Sequence, residues 1–153
     1  MSKTSVERIL IKLTNEKLSL DTAVAFVTDG CCGAISSFIG ITRDNFKGKK
    51  VLQLEYEAYQ TMAEKKMQTL ASTTLERWPA LHAIAIFHRL GVVPITEASV
   101  IIVVSSPHRA DALEATQFAI DELKATVPIW KKEIYQDGSS SWKENAECCH
   151  KSK

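Results

Sequence analysis

The chain has 153 residues, of which 45% are hydrophobic and 24% charged, and its formal net charge is +1. That length suits one domain with a real buried core, and the composition is that of an ordinary globular protein. A charge so near zero excludes bulk electrostatic attraction to nucleic acid or an acidic membrane, so any positive site must be local.

The first residues, Met1 to Arg8, are charged and hold no apolar signal core, and no run approaches the ~18 apolar residues that span a bilayer. The expected location is the cytosol, where thiols stay reduced. Ile9, Ile11 and Leu13 alternate with Leu10 and Lys12, which predicts a first strand over Val6 to Leu13. Ser19 is the expected N-cap of a short helix carrying Leu20, Ala23, Val24 and Val27, stopped by Asp29-Gly30. Cys31-Cys32-Gly33 then turns the chain into a second strand, Ala34 to Thr42. Ile35, Ser37, Ile39 and Ile41 share one side of it, and Ser36, Phe38, Gly40 and Thr42 the other. Gly40 marks either a bulge or a close approach to the backbone.

Arg43 opens a polar, Gly-containing loop through Lys50, expected to be mobile. Val51 to Ala58 predicts a half-buried strand with Leu52, Leu54, Tyr56 and Ala58 inward and Gln53, Glu55 and Glu57 outward. Gln60 to Trp78 predicts the longest helix, with Ala63, Met67, Leu70, Thr74 and Trp78 on one face and Pro79 as its stop. Its methionines read as core filler. Leu81 to Arg89 and Ala98 to Ser105 predict strands joined by a loop from Leu90 to Glu97. Val100 to Val104 is apolar on both faces, as a central strand is. His82 and His88 stand ~20 Å apart along their strand, too far to share a zinc ion. The four cysteines form two adjacent pairs, Cys31-Cys32 and Cys148-Cys149, without the spacing of a zinc or thioredoxin-type site. No flanking cationic motif depresses a thiol pKa for a persulfide on Cys31 or Cys32.

Ala112, Ala115, Thr116, Ala119, Ile120 and Leu123 recur at helical spacing, with Lys124 in the last turn, where a cation suits the helix dipole. Pro128 ends that helix, and a strand follows from Ile129, with Lys131 facing away from Trp130 and Ile134. Gln136 to Ser141 reads as a turn and Trp142 as the last anchor. The expected organisation is one domain over residues 1–146 and a flexible tail over 147–153. The element order β-α-β-β-α-β-β-α-β makes this an α+β domain with a mostly antiparallel sheet and packed helices.

No Gly-rich phosphate loop, G-x-S-x-G or H-E-x-x-H is present. The local cations are Arg43, His108, Arg109, Lys124 and Lys131. Ser-Pro-His-Arg opens a helix, where backbone N–H groups favour an anion, and arginine grips phosphate or carboxylate with two parallel hydrogen bonds. Clustering and partial burial favour the neutral amine, which suits Lys124 to proton transfer or nucleophilic attack. If these groups converge, the site fits a small anionic substrate that develops negative charge as it reacts. The alternatives are a solvated strand end at Lys131-Lys132, or a non-catalytic anion-binding module that senses a phosphorylated metabolite. RNA binding through Lys47 to Lys50 lacks interleaved aromatics.

At these residues the chain resembles the large, catalytic subunit of molybdopterin synthase. The likeness runs through Gly33-Ala34, Phe38 to Arg43, Leu54 to Tyr59, His88 to Gly91, Val93-Pro94 and Ser105 to Ala110. It continues through Phe118, Leu123-Lys124, Val127 to Glu133 and Trp142. The resemblance implies an α/β hammerhead-type fold and a sulfurtransferase that converts cyclic pyranopterin monophosphate into the dithiolene of molybdopterin. Sulfur would arrive as a thiocarboxylate on the Gly-Gly C-terminus of a small ubiquitin-like subunit, within a heterotetramer built on a homodimer of large subunits. It implies Lys124 as principal catalytic residue and Lys131 as its partner. Arg43, His108 and Arg109 would bind substrate anions, Lys132 and Glu133 would line the same pocket, and Phe38 would pack against tail or pterin. It implies no cofactor or metal, and leaves the cysteines incidental. In bacterial relatives an arginine near the C-terminus can complete the neighbouring protomer's pocket; none follows Arg109 here, so that contact is either lost or made by a lysine such as Lys143.

Overall fold

A computed structural model describes residues 7–144. The chain runs β1 (Ile9–Thr14), α1 (Leu20–Val27), β2 (Ala34–Ile41), β3 (Asn45–Phe46), β4 (Lys49–Ala58) and α2 (Gln60–Arg77). It continues through β5 (Ala83–Arg89), β6 (Gly91–Pro94), β7 (Ala98–Ser106), α3 (Arg109–Thr126), β8 (Ile129–Tyr135) and β9 (Ser140–Glu144). The proposed start of the first strand at Val6, and the tail from 147 to 153, lie outside the described residues.

One sheet has the order β1-β5-β7-β2, and a second is built from β3, β4, β8 and β9, with β6 also on β4. Among the described pairs, β1 and β5 run parallel and the others antiparallel. Strands β5 and β7 are central and apolar on both faces. Ala83, Ala85, Phe87, Ile101 and Val103 point to one side, against Ala23 and Val27 of α1. Ile84, Ile86, Val100, Ile102 and Val104 point to the other, against Ala63, Met67 and Leu70 of α2 and Ala115, Ala119 and Leu123 of α3. Period-two alternation thus gives each central strand two dry faces, and three amphipathic helices cover them. Ser19 caps α1 as expected, its side chain accepting from the Thr22 backbone N–H.

Four local expectations change. The Arg43–Lys50 loop is a hairpin: Lys47 and Gly48 both have positive φ, +50° and +82°, the conformation that closes a two-residue β-turn between β3 and β4. The stretch after Arg89 contains β6. Gly91 at φ +79° turns the chain back so that Gly91–Pro94 pairs with Gln53–Tyr56, a strand too short for periodicity to reveal. Helix α2 stops at Arg77, and Trp78 becomes its C-cap, half-buried beside the Phe118 ring rather than fully inside. Finally, Leu52 faces out. The β4–β8 register slips between Val51 and Gln53, so Val51 is buried at 2% exposure while Leu52 stands at 47%.

That slip has a direct test. Val51→Ala should cost about 1.5 kcal/mol of unfolding free energy, from two lost buried methyls, whereas Leu52→Ala should stay within about 0.5 kcal/mol. Urea unfolding of the isolated chain measures both, and equal losses would restore the unbroken alternation.

Candidate active site

A cavity of about 340 Å³ opens where the two sheets and the end of α3 meet. Strand β2 supplies Phe38 to Ile41, the segment after it Arg43 and Asn45, and β4 supplies Val51, Leu54 and Tyr56. Ser99 and Val100 come from β7, Lys124 from α3, and Lys131 and Glu133 from β8. The sequence separates these residues widely; strand pairing brings them together. Tyr56 sits opposite Lys131 and Leu54 opposite Glu133 in the β4–β8 register, so one face of two neighbouring strands carries the cavity's polar floor. Lys124 is half-buried in the last turn of α3, next to Leu123 at 1% exposure. Its cation therefore stands at the negative end of the helix dipole.

Gly40 serves both purposes open to it in the sequence. The β2–β7 register shifts between Gly40 and Ile41, a bulge. A Cβ there would also stand 2.8 Å from Val100 Cγ1 and 3.3 Å from the Phe38 ring. A side chain at position 40 would have to displace Val100 and press on the Phe38 ring, both of which line the cavity.

Glu133 is 4% exposed yet ionised. Burial pushes its carboxyl up. Hydrogen bonds from Lys143 and Tyr135, with the charges of Lys143 and Lys131, outweigh burial and hold it below the usual carboxylate range. Lys143 Nζ donates at 2.8 Å and Tyr135 Oη at 2.5 Å, both to Oε1. The lysine named for a contact with the neighbouring protomer is thus engaged within its own chain.

His88, fully buried, adds a group for which sequence reasoning predicted no role in the site. Its pKa is lowered from 6.5 to about 4, chiefly by desolvation and in part by the Lys124 charge, against a raising contribution from its bond to Arg89. Nδ1 lies 2.8 Å from the Arg89 carbonyl, which only accepts. Nδ1 therefore carries the proton, and Nε2 is left as an acceptor. The Tyr56 ring meets the imidazole edge-to-face at 5.0 Å. No local pattern marks His88, because an apolar strand with one histidine in it looks like any buried strand.

Of the residues expected to converge, Phe38, Arg43, Lys124, Lys131 and Glu133 do. His108 and Arg109 do not. They sit exposed at the start of α3, and fifteen residues of helix put them about 22 Å from Lys124. Lys132 does not line the cavity either. Alternation turns it to the other face of β8, where its Nζ stands 5.4 Å from the centre of the Trp142 ring. The Cys31 thiol is pushed up to about 11, chiefly by its hydrogen bond to Asp29, then by desolvation and by Cys32, so it is no ready nucleophile.

Fold and site together define an α+β protein with a cavity at a sheet–helix junction lined by Arg43, Lys124, Lys131 and Glu133. Residues 13–126 match the family described as MoaE protein. The bovine molybdopterin synthase catalytic subunit is 61% identical over 139 residues, which are 91% of this chain and 73% of that protein. The crystal structure of molybdopterin synthase from Staphylococcus aureus superposes with a TM-score of 0.82 at 41% identity, covering 86% of this chain and 95% of that one. A protein–protein complex of subunits 1 and 2 of molybdopterin-converting factor from Helicobacter pylori shares the fold, with a TM-score of 0.67 at 20% identity and 92% coverage of each chain. The chain belongs to the MoaE family, that of the molybdopterin synthase catalytic subunits.

The buried histidine sets a pH dependence. Its folded pKa lies below its unfolded one, so its contribution to stability is complete above about pH 6.5 and lost as pH falls towards 4. Unfolding free energy should drop by roughly 3 kcal/mol across that window. His88→Gln, measured by urea unfolding against its own baseline, should remove that slope. Glu133, also depressed, adds its loss only below about pH 4.3.

Proposed function

We propose that this chain is the sulfur-transferring subunit of a cytosolic molybdopterin synthase. It takes cyclic pyranopterin monophosphate and, one after the other, the thiocarboxylated Gly-Gly tails of two small ubiquitin-like subunits, each giving one sulfur, and forms the dithiolene. The observation that carries this reading is the meeting of Arg43, Lys124 and Lys131 in one cavity. Both reactants are anions, and each needs cationic partners when it leaves water.

Arg43, at the exposed rim, grips the phosphate or the thiocarboxylate with its planar fork. Lys124 is the principal catalytic residue. When the thiocarboxylate sulfur attacks a substrate carbon, the C–O bond at that carbon breaks, and an ammonium beside the departing oxygen stabilises its growing charge and supplies a proton. Water then cleaves the acyl–sulfur bond to release the tail as a carboxylate. Lys131 shares the load. Glu133, clamped by Lys143 and Tyr135, holds Lys131 in place through its fixed negative charge. Phe38 forms an apolar wall for the pterin or the glycine tail, which has no side chains to clear it. His108 and Arg109 could reach this cavity only from a second copy of the chain, the homodimer that the family resemblance implies. Lys132 is assigned no role in the cavity.

The test is reconstitution with thiocarboxylated partner and pyranopterin precursor, following dithiolene formation in single turnover. Lys124→Ala should slow sulfur incorporation by at least about 100-fold while the partner still binds. Lys132→Ala should keep most of the rate. Full turnover by the Lys124 variant would remove that residue from the chemistry. Binding of both reactants by the unsubstituted chain without sulfur transfer would leave only an anion-binding module.

A further inference from the structure

Far along the chain from Lys124 and Lys131, the loop between α1 and β2 and the residue before β5 place soft donor atoms together. Cys31 Sγ lies 3.7 Å from Cys32 Sγ and 3.6 Å from His82 Nδ1. The three donor atoms all lie within 4.8 Å of one another. A tetrahedral ion with Zn–S bonds of ~2.3 Å and Zn–N bonds of ~2.0 Å needs an S–S edge of about 3.8 Å and an S–N edge of about 3.5 Å. Two edges of the triangle already have those lengths. The sulfur–sulfur distance is far too long for a disulfide, which closes at ~2.05 Å.

The histidine carries a second, independent sign. Its side chain is 11% exposed, and Nε2 is buried with no hydrogen-bond partner, with Asp29 Oδ1 3.8 Å away. A histidine bound to metal through one nitrogen almost always gives its other N–H to a carboxylate, which fixes the ring and its tautomer. Asp29 stands on the side where that partner belongs, and its Oδ2 already accepts from the Cys31 backbone N–H at 3.0 Å.

The frame around the donors is rigid. The His82 backbone N–H donates to Ser105 O at 2.9 Å, and the Arg8 guanidinium donates to the carbonyls of His82 and Leu81 at 3.0 and 2.6 Å. On the other side, Gly33 N–H is shared between the carbonyls of Ser106 and Pro107, both at 3.2 Å. A Cβ on Gly33 would come within 2.8 Å of Pro107 O, so the loop rests directly on the end of the sheet.

We propose that Cys31, Cys32 and His82 form a binding site for one zinc-class ion, with Asp29 orienting His82 and water in the fourth position. Two thiolates and an imidazole select a borderline-soft cation over magnesium or calcium. Cys31 is exposed and Cys32 half-buried, so an ion can enter from solvent, and three protein ligands leave one position open. Once bound, it ties the α1–β2 loop to β5.

The experiment uses the full chain under a non-thiol reductant, with Cys148→Ser and Cys149→Ser introduced together so that the second cysteine pair contributes no sulfur. Zn2+ is titrated against a chromophoric chelator, and Co2+ is titrated for its absorption spectrum. The expected result is one ion per chain, with thiolate-to-cobalt charge transfer and the visible bands of four-coordinate cobalt. Cys31→Ser, Cys32→Ser and His82→Gln should each weaken binding by at least 100-fold with an unchanged circular dichroism spectrum. Asp29→Asn should weaken it by about 10- to 100-fold. Zn2+ should raise the thermal midpoint of the background chain and leave that of its Cys31→Ser form unmoved. The proposal is overturned if the background chain shows no saturable binding, if the Cys31→Ser, Cys32→Ser double variant binds as tightly, or if bound cobalt is six-coordinate without thiolate bands.

Discussion

Three cations gathered in one hollow repel one another, and the rest of the structure has to hold them there. At an effective dielectric of about 20, two unit charges 4 Å apart oppose each other by roughly 4 kcal/mol. The opposing terms can be named. The last-turn carbonyls of α3 attract Lys124, and the packing of Ala112, Ala115, Ala119 and Leu123 fixes where that helix ends. Glu133 supplies negative charge beside Lys131, and it stays ionised although buried because Lys143 and Tyr135 donate to it. Lys143 is part of the cavity's electrostatics without lining it. Removing it would leave a buried carboxylate with one donor fewer and a large desolvation penalty.

Much of this was legible in the sequence, for reasons that differ from element to element. The two-faced apolar run Val100 to Val104 announced a central strand, and β7 lies between β5 and β2. Ser19 announced a cap. The family likeness, spread through the chain, pointed to Lys124, Lys131, Arg43 and Phe38 as neighbours, something no local pattern could do. What failed was of two kinds. Short paired strands such as β3 and β6 are stabilised by partners distant in sequence, so neither composition nor period marks them. A single register slip at Val51–Gln53 reversed the side of Leu52, because in a strand one residue of offset exchanges the faces.

His108 and Arg109 lie away from the cavity of their own chain for a geometric reason. A resemblance says which residues serve a site and is silent on which copy they come from. Fifteen residues of α3 separate Arg109 from Lys124 at the cavity's end, and a straight helix cannot fold back on itself. Lys132 is the converse case. Its adjacency to Lys131 in sequence is what excludes it, since consecutive strand residues point to opposite faces. Cys31, Cys32 and His82 were unreadable together because the third donor comes 51 positions after the first, from a different element.

The buried imidazole completes the argument about charge. His88 lies close enough to Lys124 for the ammonium to lower its pKa, and with that pKa at about 4 it is neutral at physiological pH. An ionised acid in its place would compensate the Lys124 charge within the protein, and an imidazolium would add to the repulsion. A neutral ring does neither, while its edge-to-face contact with Tyr56 keeps the floor of the cavity packed. Glu133 is handled in a related way, because much of its charge is answered by Lys143, which does not itself line the cavity. A cavity with an ionised acid beneath each lysine would be nearly neutral, and an entering anion would find in it little that water does not already provide. By keeping one neighbour neutral and sharing the charge of the other, the fold leaves the cavity's positive potential uncompensated, as the proposed anionic reactants require.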